Sequence, residues 1–250
     1  MLDMFKKDLL YGYGRLASSD DKVIFRTVDT DNGYQANTDI VLEYTQFNDG
    51  FTVFAVNPEL MRFAKEFTVK YSLDLFGLQA FEHLFEYIET SYISKHERWL
   101  YRDEEALEKY MVYYGLGDKH KIDQSKIQPS TVRYTIDSPY RNITDEYQQL
   151  SPDGVYFGTL IGDEIVSITG TNGMENEVVD IGVETHIAHR QKGYALSNIT
   201  ALSEYLLDIG RVVKYGCNNL NVYSNKAAIS CGFEMIAKEK TIWCPPCSDY

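Results

Sequence analysis

Apolar and polar residues alternate in strand-like runs through the second half of the chain. Residues 131–136 and 178–185 are predicted strands, rich in β-branched and aromatic side chains. Two further runs, 155–161 and 164–169, flank Gly162-Asp163. Because such a dipeptide suits the tight turn between paired strands, these two runs predict a hairpin.

Helical periods follow these strands. Residues 193–209 predict a helix with one buried face, and Gly210 stands where a helix C-terminus favours glycine. The apolar positions of that face are Leu196, Ile199, Leu202, Leu206 and Ile209. Residues 221–231 predict another helix, residues 233–243 a last strand, and Ser138-Pro139 a short helix that continues to residue 150. The alternation indicates an α/β fold with a mixed, mostly antiparallel sheet flanked by helices.

The first half of the chain also mixes strand and helix signals. Residues 51–56 predict a strand, and Asn57-Pro58 supplies a cap and a first-turn proline for a helix that runs to about Tyr71. A second amphipathic helix is predicted from an aromatic-rich period. Its apolar positions are Leu73, Phe76, Phe81, Leu84, Phe85 and Ile88.

A charged and polar stretch separates the two halves. It runs from residue 97 to residue 126. We therefore place a domain boundary near residue 125, between an N-terminal α/β domain (1–125) and a C-terminal domain (126–250).

Composition and charge narrow the classes of function. The formal net charge of −13 repels phosphate backbones, so a nucleic-acid binder is not expected, whereas cationic acceptors such as amines are favoured. No stretch reaches the roughly 18 apolar residues of a membrane span. The first ten residues lack the apolar core of a signal peptide. We therefore predict a cytoplasmic protein.

Four cysteines leave two interpretations open. Cys244 and Cys247 have Cys-x-x-Cys spacing, which is typical of redox pairs and of half a zinc site. No second such pair accompanies them, because Cys217 and Cys231 stand alone. Four free thiols are therefore favoured over a zinc site that uses all four, and no metal is expected.

The most informative stretch joins the strand 178–185 to the helix 193–209. It reads Arg190-Gln-Lys-Gly-Tyr-Ala195. Main-chain N–H groups at a helix N-terminus lack partners and carry the positive end of the helix dipole. Glycine and alanine allow close approach to the backbone, and the two basic side chains add charge. The stretch therefore predicts an anion site that would suit a diphosphate.

This turn resembles a motif of the GNAT superfamily of acyltransferases. Its members carry Arg/Gln-x-x-Gly-x-Gly/Ala between their fourth strand and third helix, where the pyrophosphate of coenzyme A binds. Downstream, Asn221-x-x-Ser224 and Gly232-Phe233 are similar to the closing motif of the same family. Residues 157–233 look most like the branch that includes the zwittermicin-resistance acetyltransferases.

The resemblance implies an N-acetyltransferase that uses acetyl-CoA and an amine of a small molecule. The amine would attack the thioester directly, without a covalent enzyme intermediate. Main-chain groups of residues 191–195 would bind the pyrophosphate, and residues 183–185 would pair with the pantetheine arm and polarise the thioester carbonyl. The implied cofactor-binding residues are Val183, Thr185, Arg190, Gln191, Lys192, Gly193, Tyr194, Ala195, Asn221 and Ser224.

Asp180 and Glu184 are the candidates for the general base, which an ammonium acceptor needs before it can attack. Their even spacing on a strand puts both side chains on one face, and Gly182 between them leaves room for a substrate. Glu184 is favoured because it lies nearer the expected thioester. A solvated sheet face is the alternative explanation of the two acids.

One position departs from the family pattern. Many members place a tyrosine seven residues after the asparagine as general acid, and Ala228 stands there in this chain. Tyr223, Tyr194 or water could protonate the thiolate, or the step could proceed without an acid. The departure leaves open a non-catalytic acyl-CoA-binding or regulatory module. Residues 1–125 lack the pyrophosphate motif, and would wall the acceptor site or form a degenerate second GNAT-like fold.

Overall fold

The structure is a computed structural model that describes residues 1–12, 22–27, 40–96, 100, 106–135, 137–144 and 153–244. Its strands are β1 (Val23–Thr27), β2 (Ile40–Phe47), β3 (Thr52–Val56), β4 (Met111–Leu116), β5 (Thr131–Tyr134), β6 (Arg141–Asn142), β7 (Tyr156–Ile161), β8 (Glu164–Thr171), β9 (Val178–Thr185), β10 (Val212–Asn218) and β11 (Glu234–Trp243). Its α-helices are α1 (Leu2–Gly12), α2 (Met61–Lys70), α3 (Leu78–Tyr87), α4 (Ser94–His96), α5 (Tyr194–Asp208) and α6 (Val222–Ser230). The predicted helix 138–150 is wrong in its described part, because residues 138–144 form no helix and Arg141–Asn142 is strand β6, whereas residues 145–150 lie outside the described residues.

The chain divides into two compact units. The first comprises Met1–Asp8, Tyr113–Cys217 and Asn221–Ile236, and the second comprises Leu9–Val112, Asn218–Leu220 and Ala237–Tyr250. The first unit carries every candidate site residue predicted from the sequence.

The sheet of the first unit has the strand order β4–β10–β9–β8–β7–β5, and the short β6 pairs in parallel with β8. The neighbours β5–β7, β7–β8 and β8–β9 are antiparallel, whereas β9 and β10 are parallel. Gly162, at φ 62°, makes the predicted turn between β7 and β8. The predicted α/β class, a mixed sheet flanked by helices, is confirmed.

Helix α5 packs on the sheet of the first unit through a polar seam as well as an apolar one. Ile199, Leu202 and Leu206 are fully buried, as their spacing predicts, whereas Ile209 is 46 % exposed because the helix ends at Asp208. Beside them Asn198 is fully buried and makes hydrogen bonds to side chains of β5, β7 and β8. Buried amides of this kind restrict how two elements can pack, because any other arrangement leaves polar atoms unpaired.

The second unit has the strand order β1–β3–β2–β11 and a core rich in aromatic side chains. Asn57 caps the turn that leads into α2, as predicted, with its side chain accepting from the Glu59 N–H. The second predicted helix starts later than its apolar period, at Leu78, because the chain turns through Asp74 and leaves Leu73 fully exposed. After α3 the chain continues as a π-helix, Ile88–Ile93.

A buried lysine lies in the second unit. Lys240 is 4 % exposed, and its Nζ donates to the carbonyl oxygens of Ala106 and Lys109 at 2.5 and 2.7 Å. The ammonium also lies 4.4 Å from the ring centre of Phe81 and 5.1 Å from that of Phe85. Carbonyl dipoles and aromatic faces together replace the water that burial removes.

The stretch predicted to be polar contains a strand. Within residues 97–126, β4 buries Val112, Tyr114 and Leu116. Two tyrosines and a glycine in this strand dilute the apolar signal, so charge on either side of it dominates the pattern. No helix in the described part of the chain combines the length and apolarity needed to cross a membrane.

Candidate functional site

Strands β9 and β10 separate in the middle of the first unit's sheet. Their parallel register runs from Val178 opposite Val212 to Ile181 opposite Tyr215 and ends there, although β9 continues to Thr185 and β10 continues beyond Tyr215. Two adjacent strands that stop pairing leave a gap between them. The pairing of β9 with β10 does not extend beyond Ile181 and Tyr215.

The groups that face the gap from β9 follow from the alternation of a strand. Gly182 and Glu184 direct their carbonyl oxygens at β8, where the hydroxyls of Thr169 and Ser167 donate to them at 2.6 and 3.2 Å. The N–H and C=O groups of successive residues in a strand point to opposite sides. Those of Val183 and Thr185 therefore point into the gap.

The two residues predicted to pair with the pantetheine arm are Val183 and Thr185, and that role stays a prediction. Val183 and Thr185 present main-chain N–H groups on the gap side, as the sequence predicts for a strand end that pairs with an extended ligand. The carbonyl of Thr185 is already engaged, because the Arg190 Nε donates to it at 3.0 Å.

The turn that follows β9 contains two residues with left-handed backbone. Gln191 and Gly193 lie in the left-handed region, at φ 63° and 80°. Left-handed residues close to right-handed ones bring successive N–H groups to one side of the chain. Gly193 is the N-cap of α5, and no side chain caps that helix. The first helical hydrogen bond runs from the Ser197 N–H to the Gly193 carbonyl, so the N–H groups of the intervening residues are left over.

The basic side chains of the turn lie at the surface. Arg190 and Lys192 are exposed, and the Lys192 Nζ donates to the Ala188 carbonyl at 3.2 Å. Tyr194 and Ala195, which open α5, are half-buried. All six predicted positions from 190 to 195 thus form one continuous turn at the exposed start of α5.

Two imidazoles lie beside this turn. The rings of His186 and His189 are 5.9 Å apart, and the Nδ1 atom of each is buried without a hydrogen-bond partner among the described residues. Burial, followed by the nearby Lys192 charge, holds the pKa of His189 below its ordinary value. At neutral pH this side chain is therefore uncharged.

Asp180 forms an ion pair across the parallel strands. The Lys214 Nζ lies 3.5 Å from Asp180 Oδ2, because the two residues are register partners on β9 and β10. Burial raises the pKa of Asp180, and the Lys214 charge offsets part of that shift. Burial also raises the pKa of Asp8 on α1, which Lys214 again opposes. One ammonium therefore serves two partly buried carboxyl groups.

Glu184 lies on the same face as Asp180, beyond the point where β9 leaves β10. The opposite face of β9 carries Thr185, whose hydroxyl lies 2.8 Å from the Ser167 hydroxyl below α5. Glu184 is half-buried, and Gly182 between the two acids carries no side chain. The predicted shared face of the two acids is thus observed, on the side of the sheet away from α5.

The second motif is placed at the start of α6. Asn221 caps this helix, with its Oδ1 accepting from the Ser224 N–H at 3.1 Å. Ala228, at the position where the family often has tyrosine, is fully buried. Of the two tyrosines named as substitutes, Tyr223 is 74 % exposed.

The cysteines that the structure describes are free thiols and buried: Cys217, Cys231 and Cys244. Burial raises the pKa of Cys217 and of Cys231 to about 11, so neither is a reactive thiolate at neutral pH. Cys247 lies outside the described residues. Across the described ranges, His, Cys, Asp and Glu side chains form no group of three that could hold a metal ion.

Sequence reasoning missed Lys214, Ser167 and Thr169. Each acts through strand register, which brings residues 13 to 34 positions apart in sequence together. A single sequence contains no register signal for a parallel pair, so only the polar character of these residues on predicted strands could have marked them.

No family model and no curated protein matches the chain. Several solved structures similar to it are described as GNAT or GCN5-related N-acetyltransferases, all at low identity. An acetyltransferase from the GNAT family of Colwellia psychrerythraea is 13 % identical, with a TM-score of 0.46 over 76 % of this chain and 75 % of that one. A GCN5-related N-acetyltransferase-like protein from Streptococcus suis is 16 % identical, with a TM-score of 0.41 over 53 % of this chain and 61 % of that one. A GCN5-related N-acetyltransferase from Sphaerobacter thermophilus is 9 % identical, with a TM-score of 0.41 over 76 % and 72 %.

These likenesses are too distant to assign an activity. The chain spans only 61 % of the Streptococcus suis protein. The geometry of the turn and of the separated strands carries the functional argument, and membership of the zwittermicin-resistance branch stays a prediction.

Proposed function

We propose that the chain is an acyl-CoA-dependent N-acyltransferase that transfers an acetyl group from acetyl-CoA to an amine of a small molecule. One observation supports this most. The uncapped, exposed start of α5, with left-handed Gln191 and Gly193, directly follows the strand end that faces the gap between β9 and β10. A diphosphate would satisfy the N–H groups of the turn. The extended arm attached to it would run along the gap.

In this proposal residues on both sides of the gap would contact the acyl donor. Val183 and Thr185 on β9 would pair with the pantetheine arm as a strand does, and their N–H groups would polarise the thioester carbonyl. Asn221 and Ser224 at the start of α6 would lie near the same arm. Arg190 and Lys192 would add positive charge beside the diphosphate.

The reaction needs two protons removed from the acceptor nitrogen and one supplied to sulfur. Glu184 is the proposed base and takes the first proton of the acceptor ammonium, with Asp180 as the second candidate. The free amine attacks the thioester carbon and a C–N bond forms. The attacking nitrogen releases its second proton to water, and the C–S bond breaks with the electron pair on sulfur. The thiolate then takes a proton from Tyr194, Tyr223 or water.

Isothermal titration with acetyl-CoA tests the donor site. We expect micromolar binding by the natural chain and its loss in a double variant, Arg190→Glu with Gly193→Trp. The control is a double variant at the surface of the second unit, Arg62→Glu with Glu66→Arg, which reverses an exposed ion pair and leaves binding intact. No binding by the natural chain at millimolar acetyl-CoA would contradict the proposed donor.

A non-catalytic acyl-CoA-binding module is the second candidate, favoured by the buried Ala228 at the position of the usual acid. Release of free thiol with a panel of amines separates the two. Glu184→Gln and Asp180→Asn, made separately, then identify the base. Full turnover in both variants would exclude each acid as the base, and donor binding without thiol release for any amine would favour the module.

A further inference from the structure

We infer that Gln128 is a positioning residue that holds the turn 190–195 in its anion-binding form. This inference rests on the proposed function, because it concerns the same donor site. Gln128 lies outside both motifs found in the sequence, 62 positions before Arg190, and stands just ahead of β5.

The observation that supports this inference is a hydrogen bond from the Gln128 side chain to the turn. The Gln128 Nε2 donates to the carbonyl oxygen of Lys192 at 3.1 Å. That carbonyl belongs to the same peptide group as the Gly193 N–H. In a planar trans peptide the C=O and the N–H point in opposite directions, and no cis peptide occurs among the described residues. Because the carbonyl is held towards Gln128, the Gly193 N–H points away from Gln128.

The glutamine is itself fixed by its surroundings. Its main-chain N–H donates to the Ser197 hydroxyl at 2.7 Å, and its carbonyl accepts from the Thr131 N–H at 2.9 Å. Pro129 follows it, a residue that favours the second position of such a turn and restricts the residue before it to extended backbone. Gln128 is thus anchored at three points, two of them on the first residues of α5 and the turn before it.

The same contact disfavours a side chain at position 193. A Cβ on Gly193 would lie 3.0 Å from the Gln128 Nε2, tighter than ordinary van der Waals contact. The left-handed φ of 80° excludes most side chains independently. Gln128 and Gly193 therefore act together. The side-chain amide of Gln128 fixes the orientation of the Lys192–Gly193 peptide group, and the missing side chain of Gly193 leaves room for that amide.

The chemistry of the contact makes the amide specific. A carboxylate in its place would set oxygen against the Lys192 carbonyl oxygen, and leucine would fill the space without donating. In either case the peptide plane loses its anchor. The N–H must then be reoriented when the anion binds, which weakens binding because the ordering cost is met at that step.

The test compares Gln128→Leu with Gln124→Leu. Gln124 is a matched control, since it lies on the same segment and donates to Glu204 on α5, away from the turn. Titration with acetyl-CoA should show about tenfold weaker binding in Gln128→Leu, the loss expected for one hydrogen bond to a charged group, and no change in Gln124→Leu. Binding of S-acetyl-pantetheine, which has no diphosphate, should be equal in all three proteins.

A measurement without ligand separates this inference from the proposed function. In the 15N–1H spectrum of ligand-free protein, the Gly193 amide resonance should move in Gln128→Leu and stay in place in Gln124→Leu. An unmoved Gly193 resonance, or full acetyl-CoA affinity in a folded Gln128→Leu protein, would overturn the positioning role. Absence of acetyl-CoA binding by the natural chain, with the resonance shift present, would instead contradict the proposed function alone.

Discussion

Helices α5 and α6 begin close to the same pair of separating strands, yet their N-termini are built in opposite ways. Helix α6 starts with Asn221, whose side chain satisfies the Ser224 N–H. Helix α5 starts with Gly193, which has no side chain to offer, and its first N–H groups have no side-chain cap. A protein usually satisfies helix ends internally because an unpaired N–H costs stability. In the proposed function, the start of α5 is the end that would receive the ligand.

The largest expected effect comes from filling the uncapped end. In Gly193→Val a β-branched side chain is forced into left-handed backbone and against Gln128. We expect acetyl-CoA affinity to fall more than about a hundredfold, measured by isothermal titration, because the turn must change shape to relieve the strain. Gly193→Asn should retain more affinity, since asparagine tolerates this region.

The control for that series stands at the other end of the same helix. Gly210 has φ 77°, and a Cβ there would meet nothing within 4 Å. Gly210→Ala should lower the free energy of unfolding by about 1 kcal/mol and leave acetyl-CoA affinity unchanged. Equal losses of affinity at both glycines would show that helix stability, and not turn geometry, controls binding.

The next effect concerns the capped end. Asn221→Ala should lower the free energy of unfolding by about 1 kcal/mol, measured by urea denaturation, because the Ser224 N–H loses its acceptor. Asn221→Asp keeps the accepting oxygen and should be as stable as the natural chain. Weaker acetyl-CoA binding in that stable variant would support the proposed contact of Asn221 with the pantetheine arm, whereas unchanged binding would confine the residue to capping.

The smallest effect is a pH dependence at the uncapped end. The pKa of His189 is lowered from its ordinary value of 6.5, so the unfolded chain binds this proton more tightly than the folded one. The contribution of His189 to the free energy of unfolding is therefore present above pH 6.5. It is lost as the pH falls from 6.5 through the pKa that His189 has in the folded protein. Bound acetyl-CoA should move the pKa upward, because the diphosphate favours the charged imidazole.

An NMR titration of the imidazole resonances measures both parts of that prediction. His189→Gln should remove the pH dependence of unfolding that belongs to this group. A His189 pKa at or above 6.5 in the ligand-free protein would contradict the effect of burial.

Much of the first unit could be predicted from sequence because its signals are local. The period of α5, the hairpin at Gly162 and the turn around Gly193 each depend on neighbours within a few residues. The separation of β9 and β10 could not be predicted, since it is a property of two strands whose paired residues lie 34 positions apart in sequence. The Gln128 contact escaped for the same reason, and so did the Asp180–Lys214 pair.

The errors around α3 and β4 came from diluted or misleading patterns. Leu73 continues the apolar period of α3 but lies fully exposed, because the turn at Asp74 takes precedence over hydrophobic spacing. Strand β4 escaped because its tyrosines look neither clearly apolar nor clearly polar. The charged segments around it are the reason for placing the boundary near residue 125, and that boundary stays a prediction.

Because β9 and β10 separate, the end of β9 lacks a neighbouring strand on one side, as an outer strand does. Amide hydrogens in the middle of a sheet normally exchange with solvent deuterium last, because each donates a hydrogen bond to a neighbouring strand. The amides of Val183 and Thr185 lie on β9, between β8 and β10 in strand order, yet the pairing of β9 with β10 ends before both residues. They should exchange as quickly as those of an outer strand. A ligand that fills the gap would slow them, so their exchange rate reports directly on occupancy.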